Sequence, residues 1–159
     1  MRTIRKQSLS NISEFKNQLL HWAQQFREVV FLDSNSDYNF NRKYANYDFV
    51  LAVDALTSIK TDYTNAFLDL HQYQSQTNDW LFGYLSYDLK NDIEDLKSNN
   101  YDGLQFPDMF FFQPKKLFLV KENQLEMHYL NMCDDEVDSD FDEIIQCSVF
   151  SVQSSEVEI

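Results

Sequence analysis

"KLFLVKENQLEMHYL", Lys116 to Leu130, decides the fold class of this chain. "KLFLV" is a run of strand formers, "KENQ" is turn-like, and in "LEMHYL" the residues Leu125, Met127 and Tyr129 alternate with other positions. A period of two sets those three side chains on one face, and two such runs across a short polar turn read as a β-hairpin. A hairpin makes antiparallel neighbours, whereas parallel strands need a long crossover. Helical patterns are interspersed elsewhere, so the reading is α+β: a largely antiparallel sheet with a few packed helices.

Working outward, Pro107 and Pro114 bracket "DMFFFQ", a short apolar segment that neither proline lets extend through ladder hydrogen bonds. "WLFGYLSY", Trp80 to Tyr87, reads as a strand in which Gly83 marks a bulge or a close backbone approach, with Leu81, Leu85 and Tyr87 filling the core. "DFVLAVDAL", Asp48 to Leu56, is apolar on both alternating faces apart from Asp54, as a central strand covered on two sides would be. "VVFLDS", Val29 to Ser34, is a further short strand, joined to it by a long polar loop from Asn35 to Asp48. Helical spacing links Phe15, Leu19, Trp22, Ala23 and Phe26 behind an Asn11–Glu14 capping box, and links Tyr63, Ala66, Phe67, Leu70 and Tyr73. A short helix is expected from Asn91, with Leu89, Ile93 and Leu96 on its face, and a weak one around Phe141 to Gln146. "SVFSVQSSEVEI" reads as a closing strand or tail.

At 159 residues and 19.0 kDa, with no internal repeat, the chain reads as a single domain over 1–159. A net charge of −13 opposes binding to nucleic acid or to anionic membrane surfaces, which need Lys and Arg against phosphate. Cys133 and Cys147 have no metal or redox spacing, the basic start "MRTIRKQSLS" lacks a signal peptide's apolar run, and no stretch reads as a membrane span. A cytoplasmic protein is expected.

Local catalytic signatures are missing. His21, His71 and His128 stand far apart, without carboxylates or cysteines at ligand spacing, and no serine sits in a nucleophile elbow. The acidic run from Asp138 begins like a calcium loop. It places Glu143 where the sharp turn needs Gly and Val149 where a bidentate Glu is needed, so a solvated loop and helix start is expected. These residues suggest no catalytic group, metal site or cofactor.

"FGYLSYDLKNDIEDL", followed by "FPDMFFFQPKKLFLV", resembles the N-terminal region of the chorismate-utilising enzymes, which include component I of anthranilate synthase and of aminodeoxychorismate (para-aminobenzoate) synthase. "VVFLDSNSD" and "YANYDFVLAVDAL" are similar to two earlier family segments, the latter in a form closer to the aminodeoxychorismate branch. The resemblance runs over four ordered blocks from Val29 to Leu130. It implies an N-terminal domain without catalytic residues. Chorismate amination and a magnesium ion belong to a separate C-terminal domain, and a glutamine amidotransferase subunit supplies ammonia. It also implies part of a tryptophan pocket, with Ser34 meeting the ligand's amino group and Tyr44, Ala45, Asn46 and Tyr47 along the indole; Asn46 stands where the family often has Arg. An exposed apolar face is expected where the partner domain packs. A free-standing acidic interaction module is the alternative from a different class.

Overall fold

The computed structural model describes residues 1–35, 46–94 and 105–147. Among the described residues there are six strands: β1 (Arg2–Ser8), β2 (Val29–Asp33), β3 (Phe49–Thr61), β4 (Phe82–Leu85), β5 (Met109–Lys121) and β6 (Gln124–Leu130). The helices are α1 (Ile12–Ala23), α2 (Ala66–Thr77), α3 (Lys90–Glu94) and α4 (Val137–Gln146), with 3-10 turns at Tyr87–Leu89 and Asn131–Glu136. The sheet order is β1-β6-β5-β3-β2, with β4 pairing β5, and every pairing is antiparallel. The fold is α+β, as the hairpin reading required.

Alternation builds two buried faces. Phe49, Leu51 and Val53 of β3, Phe118 and Val120 of β5, and Leu125, Met127 and Tyr129 of β6 point to one side. There they meet Phe15, Leu19, Trp22 and Ala23 of α1 and Val137 and Ile144 of α4. Val50, Ala52, Leu117 and Leu119 occupy the other side and cluster with Phe82 and Phe112. β3 is thus the central strand its sequence describes, buried on both faces from Phe49 to Val53. A smaller cluster joins Ala66 of α2 to Leu89 and Met109, with Ile59, Leu70 and Phe111 against it.

Several elements depart from the sequence reading. The stretch after Pro107 does not stop at Pro114: β5 runs through it for 13 residues. β4 pairs β5 only as far as Phe112, and β6 pairs it only from Lys116, so neither strand asks for the amide that Pro114 lacks. On the β3 side the register shifts between Ala55 and Thr57, beside Asp54 at φ 65°. Arg2 fills the gap between β4 and β6. Its guanidinium donates to the carbonyls of Pro114 (2.5 Å) and His128 (3.1 Å) and forks onto Asp79 (2.8 and 2.9 Å).

β1 has no counterpart in the sequence reading, because its charged residues show no apolar alternation. Such a composition suits an edge strand. Asn91 does not cap a helix; it lies buried inside α3 while Ile93 faces solvent. The preceding turn is held instead by Ser86, whose amide and hydroxyl donate to Asp108 at 2.7 and 3.0 Å. Leu96, the Asn35–Asp48 loop from 36 to 45, and the final segment from Ser148 lie outside the described residues.

The acidic segment is not simply solvated. Asp140 of α4 is buried, accepting from Lys116 Nζ at 2.6 Å and from the Tyr129 hydroxyl at 2.8 Å, while Glu136 meets Lys116 at 2.6 Å. The rings of Trp22, Phe26 and Tyr129 surround the ammonium at 5.4 to 5.8 Å. Burial depresses the Lys116 pKa, but the bonds from Asp140 and Glu136 outweigh it and raise it overall. Burial, then the Asp140 charge, pushes the Tyr129 hydroxyl up.

Candidate functional site

The β5–β6 hairpin that sets the fold also shapes an open cleft. Glu122 and Asn123 link the strands with φ of 50° and 65°, the left-handed pair of a type I′ turn. Register pairs Leu119 with Glu126 and Lys121 with Gln124. Alternation turns these four side chains away from the face under α1, where Val120 and Leu125 are buried. Asn46 and Tyr47 close the far side, giving a cleft of about 580 Å³ lined by these residues and Glu122.

Asp48 ties the walls together. Its amide donates to the Val120 carbonyl (2.8 Å), its carboxylate accepts from the Glu122 amide (2.9 Å), and its carbonyl accepts from the Ser34 amide and hydroxyl (3.0 and 2.9 Å). The chain leaving β2, the chain entering β3 and the hairpin turn therefore share one anchor. Tyr47 packs against the Val50–Leu119 cluster, leaving it half-buried beside the opening.

The charges are mixed. Glu126 lies 3.0 Å from His128 Nε2 and 3.5 Å from Lys6. The His128 contact, against a partial opposing effect of burial and with help from Lys6, holds the Glu126 carboxyl below its ordinary range. Lys121 has no carboxylate partner among the described residues. One cation, two carboxylates, an aromatic wall and the Leu119 floor make a surface that can hold a ligand carrying both charges. Among the described lining residues there is no nucleophile paired with a base.

Of the residues expected at a ligand wall, Asn46 and Tyr47 line this cleft together. Ser34 does not; its hydroxyl is committed to Asp48. Tyr44 and Ala45 lie outside the described residues. Sequence reasoning missed Asp48 as an organiser, although an Asp placed just before an apolar strand is a usable signal for such a tie. It also missed Lys121, Glu122, Gln124 and Glu126, which reach the cleft only through strand pairing.

A larger cleft, about 680 Å³, lies between the end of α2 and β4, with Gln74, Asn78, Asp79 and Trp80 on its walls. Asp79 is already bound by Arg2 and by Gln113 at 2.8 Å. Burial alone would raise its pKa, but these bonds hold it below the usual carboxylate range. Among the described residues no three of His, Cys, Asp and Glu are placed to hold a metal, and no helix is long and apolar enough to cross a membrane. No family model and no curated protein matches the chain.

Proposed function

We propose that this chain is the non-catalytic N-terminal domain of component I of aminodeoxychorismate synthase, which aminates chorismate with glutamine-derived ammonia for p-aminobenzoate and folate. One observation supports this above the rest. Within the described residues, each of the four sequence blocks that carry the family resemblance supplies one strand, β2, β3, β5 or β4, and these strands adjoin one another in the sheet.

In this reading the chain supplies scaffold, a domain interface and part of an amino-acid pocket. Chorismate and magnesium belong to the C-terminal catalytic domain, and a glutamine amidotransferase subunit is the partner that supplies ammonia. The cleft beside the hairpin suits tryptophan: Lys121 faces its carboxylate, Glu122 and Glu126 its ammonium, and Tyr47 its indole. Leu85, Tyr87 and Ile93, all exposed at the end of β4 and in the segment after it, form the apolar surface for the catalytic domain. Two free thiols, Cys133 and Cys147, suit a cytoplasmic setting.

Complementation tests the proposal. A bacterial strain whose aminodeoxychorismate synthase component I lacks its N-terminal domain needs p-aminobenzoate to grow. This chain, fused to the remaining catalytic domain, is expected to relieve that requirement. Rescue of the corresponding anthranilate synthase deletion alone assigns the chain to the tryptophan branch, and rescue of neither overturns the family reading.

A further inference from the structure

A third cleft, about 430 Å³, opens on the sheet face opposite α2. Met109 and Phe111 of β5 point toward α2, so Phe110 and Phe112 face the other way. Register lines up Lys60 of β3, Phe110 of β5 and Tyr84 of β4 in one cross-strand row. Phe110 stands 6.1 Å from the Tyr84 ring and 5.8 Å from the Phe112 ring. Phe106, 68% exposed, and Arg27 complete the rim.

The charges here run against the whole chain. With a net charge of −13, a cation should find a carboxylate easily, and Arg2, Arg5, Lys6, Lys16, Lys115 and Lys116 all do. Lys60, like Lys90 and Lys121, makes no ion pair among the described residues; its Nζ lies 5.4 Å from the centroid of Phe110. Arg27 reaches Glu28 only at 3.8 Å and stays largely in solvent. Arg27, Lys60 and Glu28 leave this cleft one positive charge in excess.

We propose that this cleft binds a small planar aromatic acid, its ring among Tyr84, Phe106 and Phe110 and its carboxylate toward Lys60 and Arg27. Flat rings stack on exposed aromatic faces, and one carboxylate balances the excess charge. A polyanion such as nucleic acid would meet the acidic remainder of the surface. The assignment is independent of the family reading, since none of these groups belongs to the cleft beside the hairpin.

Titration of the whole chain with 2-naphthoate, followed by calorimetry and by two-dimensional NMR, tests it. Saturable one-to-one binding is expected, with the resonances of Lys60, Tyr84 and Phe110 shifting together. The neutral isostere 2-naphthalenemethanol, and naphthoate on Lys60→Gln, should each bind about fivefold more weakly, the scale of one partly exposed ion pair. Phe106→Ser should also weaken binding. Both substitutions lie at exposed positions, so unchanged thermal melting establishes that the fold is intact. Absence of saturation, equal affinity for acid and alcohol, or shifts mapping elsewhere overturns the proposal, as does binding of an acidic aromatic peptide without binding of naphthoate.

Discussion

Gly83 shows how one missing methyl group can set a strand pairing. It pairs with Phe111, its φ is not in the left-handed range, and so conformational freedom is not its purpose. A Cβ at this position would lie 2.7 Å from both the Phe110 carbonyl carbon and Phe111 Cα and would collide with the Phe110 carbonyl oxygen. The obstacle is backbone, which cannot rotate aside. The neighbour whose approach the glycine permits is therefore β5 itself. Around it the burial is the reverse of what the sequence suggests: Phe82 is buried, while Leu85 and Tyr87 are exposed. Gly83→Ala should cost about 1–3 kcal/mol, the range for forcing extra volume into a packed site. Urea denaturation reads this directly, and an unchanged midpoint would show that β4 is not held against β5 as described.

The elements differ in how much local sequence decides them. Helix α1 is local: Asn11 accepts from the Glu14 amide at 3.1 Å, and Phe15, Leu19, Trp22 and Ala23 form the buried stripe. Phe26 keeps its contact with that core although the helix ends at Ala23. The hairpin is local too, down to the burial of Leu125, Met127 and Tyr129. Its turn is not optimal, since Glu122 holds a φ of 50° that a residue with a full side chain resists. Glu122→Asn keeps the amide donated to Asp48 and tolerates this backbone better, so it should raise stability by up to about 1 kcal/mol. A lower denaturation midpoint for this variant would count against the turn assignment. Strand β5 and the Asn91 region were not legible. A proline inside a strand is tolerable only where no partner needs its amide, and that depends on where β4 ends and β6 begins.

For the whole molecule, buried charge makes stability depend on pH at both ends. Asp33, opposed by burial but hydrogen-bonded by Lys16, and Asp79, opposed by burial but bonded by Arg2, have lowered pKa values. Their contributions are present above the unfolded carboxyl value near 3.9 and fade as pH falls through the lower folded values. Burial raises the Cys133 and Tyr129 pKa values, and the Asp140 and Glu136 bonds raise that of Lys116 against burial. Groups with raised values stabilise fully below their unfolded pKa and lose that effect as pH rises through the folded one. The unfolded values begin with cysteine at about 8.5, followed by tyrosine and lysine above it. Unfolding free energy measured against pH should therefore be flat from about 5 to 8 and fall on either side. A curve still rising at pH 9 would contradict the buried Lys116–Asp140–Tyr129 network.

By itself the sequence determined the α+β class, the hairpin, the central β3 strand and the first helix. Each rests on periodicity and turn chemistry that act within a few residues. The family resemblance names Asn46 and Tyr47 as wall residues, and both line the cleft beside the hairpin. Tertiary structure alone decided the place of β1, the passage of β5 through Pro114, the burial of Lys116 with Asp140, and the company Asn46 and Tyr47 keep in their cleft. Those outcomes depend on what lies opposite a residue across a strand or beneath a helix, and alternation along one chain does not say which strand will stand there.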